Sequence, residues 1–468
     1  MTERGVEFFV RGFDNIDLSS VTDTIFVQVP FPAGVQTTDI FAGSAQTAYR
    51  MISAPNLLDE TLADSIFSNS RFGAYDTTSW RLFKYRNGQT IERDSANSDS
   101  FSFTPGEALW LISSQNRTID FGPGISQQAD MSATITLAPG WNQVGNPFAF
   151  SVAWDSVIAD GNVDVPIFYN GIYSAAQNLE PYQGYFIWNF DTLNVTLTIP
   201  PIEANASNSV LSRTAAGVDW QVQILSMCSE ARDDFNYLGI HEQASITWDR
   251  FDHPEPPPIG EYISVYFPRK DWQVYPNNYT TDYRDDLGQG QSWTFQVKTN
   301  IPNTEAQILF SGLADLPWDL EIVLVDEKLN ITRDLLVDQS YSFPTGNSGT
   351  TKTLKVIVGK REYISDEISR STFIPSTFEL DQNFPNPFNP ATSIRYGLPE
   401  AANVTIKVFD LLGKEVVTLL SAEQREAGYH VISWGGRDRD GSSVASGLYF
   451  YQIISGKFVQ TRKMLLVK

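Results

Sequence analysis

A single cysteine, Cys228, is all the thiol that 468 residues contain, so no internal disulfide can staple any part of this chain. Histidine is almost as scarce: His241, His253 and His430 lie too far apart for the two-on-one-helix spacing of a zinc protease. No Gly-x-Ser-x-Gly elbow and no phosphate-binding glycine loop occurs. Apolar runs all stop far short of the roughly 20 residues of a membrane-spanning helix. Cations are outnumbered, 33 Lys and Arg against 55 Asp and Glu, for a formal charge of −22. Such a surface repels nucleic acid and anionic lipid. With so few acid–base residues, the chain is expected not to be an enzyme within these residues. A carboxylate pair meeting in space, as in glycosidases, is the one catalytic arrangement the sequence leaves open.

What the chain does have is apolar residues, 42%, with 13% aromatic. That composition supports several cores and makes disorder untenable. The clearest pattern lies at 377–468, where 10 basic residues meet 9 acidic ones, so the acidic excess belongs to the rest. The segment opens on Leu380-Asp381-Gln382-Asn383-Phe384-Pro385-Asn386-Pro387-Phe388-Asn389-Pro390, whose prolines forbid helix and favour an extended lead-in. Short β-patterned runs follow at Ser393 to Leu398, Val404 to Phe409, Glu415 to Leu420, Tyr429 to Trp434, Leu448 to Ile454 and Lys457 to Val467. Turn residues separate them, among them Asp410 with Gly413, Asp438 with Gly441, and Gly447. Six or seven such strands predict a small immunoglobulin-like sandwich.

The residues of this segment resemble the C-terminal sorting domain (type A) of type IX secretion system cargo of Bacteroidota-like bacteria. The resemblance rests on five pieces in order: Pro385-Asn386-Pro387; Val408 to Val416, with Asp410 and Gly413; Gly428 to Trp434; Val444 to Tyr451, with Gly447 and Tyr449; and Lys463 to Lys468. Gly435-Gly436 after Trp434 departs from the expected Asp-Gly and alters one turn. The resemblance covers about a fifth of the chain. It implies a protein that is secreted or held at the cell surface by way of the periplasm. Its implied partners are the outer-membrane translocon, a sorting protease that removes the tail, and surface lipopolysaccharide or glycans. Such cargo needs an N-terminal signal peptide, and none is legible where Glu7 interrupts Val6 to Val10. The natural protein is therefore expected to start upstream of residue 1.

The remaining chain predicts an all-β protein with immunoglobulin-like and other β-sandwich modules in series. Residues 1–40 carry two strand patterns, Gly5 to Arg11 and Thr24 to Pro30, expected as the last hairpin of an upstream sandwich. Residues 41–203 hold a degenerate duplication with three beats per copy. They are Tyr49 to Pro55, Trp80 to Gly88 and Pro105 to Ile112, then Gly140 to Pro147, Ile167 to Gly171 and Pro181 to Trp188. Two copies are too few for a solenoid, so one pseudo-twofold β domain is expected. Its Trp110, Trp141, Tyr185 and Trp188 are read as core, with a sugar-stacking platform as the alternative.

Residues 204–362 read as a larger β-sandwich, and 363–376 as a polar, protease-accessible linker. No cofactor is expected. Calcium is a weak candidate at the acidic loops, through Asp249, Asp252, Asp285 and Asp286, each loop carrying an Arg that competes for the carboxylates. Cys228 ends a strand pattern and reads as a small buried hydrophobe. Structural or adhesive modules are the leading functional expectation. The alternatives are the non-catalytic tail of a secreted hydrolase and a carbohydrate-binding module protein.

Overall fold

The computed structural model describes residues 42–204, 218–370, 375 and 377–467, apart from 70–71 and 330, and four short strands between Val6 and Val27. It is an all-β, multidomain chain, with only two α-helices among the described residues, Ala63–Asn69 and Arg361–Arg370. It divides into two compact units. The first comprises Met1–Asp219, Gln223–Arg284 and Thr299–Ile301; the second Trp220–Val222, Asp285–Lys298 and Pro302–Lys468. The division falls elsewhere than the 203/204 boundary expected from sequence. The reason is a set of long-range contacts described below.

In the first unit, Val6–Phe8 pairs antiparallel with Ile25–Val27, the two patterns expected to be partners. The duplication at 41–203 is expressed as two four-stranded sheets of one topology. Arg50–Ser53, Ala108–Ser113, Trp80–Arg86 and Gln89–Glu92 lie side by side in that order. So do Gly140–Gly145, Gly184–Asn189, Ile167–Tyr169 and Tyr173–Ala175. The copies grip each other reciprocally. Ile52 bridges to Gln183 and, at the matching positions, Val144 bridges to Glu107. The Ser53 amide donates to the Tyr182 carbonyl at 3.0 Å, and the Gly145 amide to the Gly106 carbonyl at 3.0 Å. Both acceptors sit at left-handed φ, +64° for Tyr182 and +90° for Gly106. Glycine is needed where the backbones cross: a Cβ on Gly145 would stand 2.6 Å from the Glu107 carbonyl oxygen, and one on Gly184 2.6 Å from the Ala108 Cβ. This mutual bridging buries the inner faces that neither copy could cover alone.

Downstream in the same unit, Ala231–His241 pairs parallel with Thr281–Arg284, a pairing that needs a long crossover. The crossover contains the acidic, proline-rich stretch 248–258.

In the second unit, Thr350–Gly359 pairs with Glu321–Asp326, which pairs with Ile331–Asp334, and Glu305–Ser311 pairs with Ser340–Pro344. The 363–376 expectation needs correction, because its first half is helical. In Arg361–Arg370, Ile364 is buried against Val323, Val325 and Ile357, with Tyr363 and Ile368 beside it. Tyr363 seats over Gly290, where a Cβ would collide with its ring, while a Cβ on Gly359 would meet the Gln289 carbonyl oxygen at 2.7 Å. Ile364 and Ile368 share one helix face, a spacing that the surrounding polar residues hide.

The C-terminal segment forms two sheets. Thr392–Leu398 lies between Glu379–Leu380 and Gly428–Trp434. Glu415–Arg425, Ala402–Phe409, Gly447–Ser455 and Phe458–Leu466 make the other, in that order. Alternating inward residues, among them Val404, Ile406, Val408, Tyr451, Ile453 and Met464, form a core drawn wholly from this segment.

Candidate functional site

The five motif pieces of the tail occupy defined places in that sandwich. The lead-in lies along the last strand. The Leu465 amide donates to Asn386 Oδ1 at 2.8 Å, the Phe388 amide to the Leu465 carbonyl at 2.9 Å, and the Val467 amide to the Phe388 carbonyl at 3.0 Å. Gln382 Nε2 donates to the Lys463 carbonyl at 2.7 Å, and Arg462 Nε to the Leu380 carbonyl at 2.6 Å. An edge that would otherwise present bare backbone groups is thereby covered at its end. Tyr451 fixes the start of the lead-in, its hydroxyl donating to the Asp381 carbonyl at 2.6 Å and accepting the Asn383 amide at 2.8 Å. Enclosure raises the Tyr451 hydroxyl well above the usual phenol range.

Pro385 turns its carbonyl to Thr392 Oγ1 at 2.9 Å, and the bonds preceding Pro385, Pro387 and Pro390 are cis. Asp410 Oδ1 accepts the amides of Leu412 and Lys414, both at 2.9 Å, with Gly413 at φ +78°. That closes the hairpin and leaves Leu412 92% exposed at its tip. Tyr449 donates to the Ala445 carbonyl at 2.8 Å and packs edge-on to Trp434. Gly447 opens the strand that carries Tyr449. Lys468 lies outside the described residues.

Of the aromatics read as core with a sugar platform as alternative, Trp110 and Tyr185 are buried. Trp141 and Trp188 are half-buried, sit opposite each other on paired strands with their rings edge to face and centroids 5.3 Å apart, and line a cleft. Trp141 also anchors the stretch 248–258, which straps across the duplicated domain. Its Nε1 donates to the Glu255 carbonyl at 3.0 Å, and the Tyr173 hydroxyl to the Pro257 carbonyl at 2.5 Å. His253 Nδ1 meets Asp164 at 2.8 Å, and Trp248 packs on Phe190 and Tyr275. Sequence alone marked these residues as a loop; Tyr275 apart, their partners lie roughly 60 to 115 positions away, where no local pattern reaches.

The calcium candidates Asp249 and Asp252 fall in this strap. Asp249 caps its own turn, its Oδ1 accepting the Phe251 amide at 2.7 Å and its Oδ2 the Ser245 amide at 2.5 Å. Asp252 takes the Asp249 amide at 2.9 Å on Oδ2, while its buried Oδ1 has no hydrogen-bond partner. Burial, then the neighbouring Asp282 and Asp249, push the Asp252 carboxyl well above its ordinary range. Asp286 Oδ1 accepts the Gly288 amide at 2.9 Å, and Asp285 is exposed. Among the described residues, no three His, Cys, Asp or Glu side chains are arranged to hold a metal ion.

Cys228 is buried at the end of Val218–Cys228, and burial pushes its thiol up. His241 accepts the Gln243 amide at 3.0 Å and lies over Phe251. His430 stacks on Tyr396 and meets the Glu426 carbonyl at 2.8 Å. Among the described residues, no helix is long and apolar enough to cross a membrane.

The FlgD Ig-like domain family matches residues 389–456, most of the tail sandwich. Three solved structures show likeness over larger spans. PorZ of Porphyromonas gingivalis, an essential surface component of the type-IX secretion system of that bacterium, is 16% identical over 46% of this chain and 25% of its own, with a TM-score of 0.15. Dimeric latent PorU of the same organism is 11% identical over 73% of this chain and 33% of its own, with a TM-score of 0.18. The pullulanase of Bacillus acidopullulyticus is 13% identical over 38% of this chain and 26% of its own, with a TM-score of 0.14. The chain thus spans between a quarter and a third of the length of these proteins. No curated protein matches it.

Proposed function

We propose that the chain belongs to an exported multidomain β protein whose residues 377–468 are a type IX sorting address. Its upstream modules are structural or adhesive rather than catalytic. The observation that carries the reading is the clasp between the first and last motif pieces, Asn386 on Leu465 and Phe388 on Leu465 and Val467. It gives a physical reason for an asparagine between two prolines and a fixed terminal strand to occur together: each completes the other's hydrogen bonds. The partners are the outer-membrane translocon, which reads the closed sandwich, and a sorting protease that removes it. Surface lipopolysaccharide is the acceptor if the cargo is retained. Because Arg361–Arg370 is helical and packed, the cut belongs after Arg370, since a protease needs extended backbone.

A reporter with an export signal fused to residues 363–468, in a bacterium with this system, should reach the surface or medium without its tail. The same fusion lacking Lys463 to Lys468 should remain in the periplasm, and Asn386→Ala should lower export while the reporter itself stays folded. Equal export of all three, or mature surface protein still ending at Lys468, would defeat the address or its cleavage.

A further inference from the structure

A cleft of about 650 Å³ opens on the duplicated domain, within the size range of small-molecule sites. Its walls come from the end of Trp80–Arg86 and the turn after it, the 100–109 segment, and the strands Ala133–Leu137 and Gly140–Gly145. One lining residue is unusual in its surroundings. Lys84 is only 7% exposed, and its ammonium donates to the Ser100 carbonyl at 2.9 Å and the Ser100 hydroxyl at 2.6 Å, with the Phe101 ring 4.7 Å away. Among the described residues, no carboxylate stands within ion-pair distance of it. The cleft's carboxylate, Glu107, is taken by Arg86 at 3.1 Å and by Thr104 Oγ1 at 2.7 Å. Burial, and then the neighbouring charge of Arg86, lower the Lys84 ammonium's hold on its proton, with the Glu107 carboxylate opposing from beyond ion-pair distance. Two cations and one carboxylate therefore line this cleft, in a chain whose net charge is −22.

The other lining groups narrow the ligand. Trp141 and Trp188 form a half-buried aromatic wall, and the exposed hydroxyls of Thr134 and Thr136 face the solvent side of the strand that borders it. An aromatic wall takes the C–H face of a pyranose, hydroxyls take its hydroxyls, and an enclosed ammonium takes an anion that restores the pairing burial removed. We propose that this cleft binds an acidic saccharide, with the anionic substituent directed to Lys84 and Arg86 and the ring against Trp141 and Trp188. The site is independent of the sorting tail and stands whether or not the tail is an export address.

The test uses the full 468-residue chain. Tryptophan fluorescence and calorimetry are followed with oligogalacturonate, a sulfated galactan oligomer, and neutral cello- and malto-oligosaccharides. Either acidic oligomer should bind with Kd of roughly 10–500 μM, weaker at high salt, and the two arms identify which anionic group is preferred. Lys84→Gln should weaken binding about tenfold, an ion-contact loss of ordinary size. Neutral oligomers should bind at least tenfold more weakly than the better acidic one. Neutral and acidic oligomers binding equally, no acidic oligomer binding up to about 5 mM, or a folded Lys84→Gln variant with unchanged affinity would each overturn the proposal. If Lys84→Gln fails to fold, Arg86→Gln decides instead: its side chain is exposed, and it should weaken acidic oligomers several-fold.

Discussion

Two enclosed carboxyl environments, one in each unit, are stabilised by opposite means. In the 248–258 strap and against it, Asp252, Glu255 and Asp233 are all pushed up, in each case first by burial. Asp233 rises to about 6 although it accepts the Val265 amide at 2.7 Å. Like charges add to the push, Asp282 and Asp249 on Asp252 and Asp233 on Glu255. Burial is answered here by a tighter hold on the proton, in Asp233 as in Asp252 and Glu255. In the second unit Asp326 is fully buried and answers it with a cation: Lys352 pairs with it, and the Tyr341 hydroxyl donates to its Oδ2 at 2.5 Å. Burial lowers Lys352 more than Asp326 raises it, so the pair is held by its geometry and its hydrogen bonds. A carboxyl held by its proton gives up that share of stability as pH rises, whereas a carboxylate held by a cation depends on that cation.

The largest expected effect follows from the second case. Lys352→Met leaves the Asp326 carboxylate enclosed without a counter-ion, and loss of one member of a buried pair costs roughly 3–5 kcal/mol. Denaturant melts of the intact chain should show the transition of the second unit falling by that order. The double variant Lys352→Met, Asp326→Leu should recover part of it. A single-variant loss under about 1 kcal/mol would place this pair with ordinary surface bridges and erase the contrast.

The first case predicts a smaller effect that depends on pH. A carboxyl whose folded pKa lies above its unfolded value binds more protons when folded, so its contribution is fully present below the unfolded value and is lost as pH rises through the folded one. For Asp233 the window runs from its ordinary value of 3.8 to about 6. Asp252 and Glu255 shift in the same direction and extend the trend upward. The first unit should therefore melt at lower temperature at pH 7.5 than at pH 5, by about 1–1.5 kcal/mol of stability for Asp233. Asp233→Asn should flatten that slope, at the cost of about 1–3 kcal/mol for whichever backbone amide, Val265 or Phe235, then faces an NH2 group in place of an acceptor. A first unit that grows more stable as pH rises across the window would reverse the assignment.

How far each region could be read in advance follows from where its partners lie. The tail was legible because its core closes within its own residues: Val404, Ile406 and Val408 alternate with polar neighbours, and Asp410 with Gly413 marks the turn. Even there, the clasp of Asn386 on Leu465 spans 79 positions and could not be read as a contact. The duplication was legible as three beats per copy, yet the reciprocal bridges Ile52 to Gln183 and Val144 to Glu107 emerge only once both sheets are built. The strap was not legible at all. Its prolines read as a loop because the residues that hold it, Trp141, Asp164 and Tyr173, belong to another part of the sequence. The helix Arg361–Arg370 was hidden for a different reason. A short helix with two or three apolar contacts yields too weak a period to separate from a polar linker.

Calcium gives the smallest expected effect and tests the same contrast from the ligand side. A calcium site needs several ionised oxygens free to turn toward the ion. Asp249 spends both oxygens on the backbone amides of its own turn, and Asp252 is pushed toward its protonated form by burial and by the carboxylates around it. Binding an ion there would require breaking two caps and deprotonating an enclosed acid, each opposing the Coulomb gain. Adding calcium at a few millimolar, or removing it with a chelator, should leave the melting temperature of the first unit unchanged at pH 7.5. A ligand bound only to the native state at about 100 times its Kd would stabilise by roughly 2.7 kcal/mol, far above the scatter of a melt. A calcium-dependent rise of that size, abolished by Asp252→Asn, would mean that the strap carboxyls answer burial with a metal ion and not with a proton.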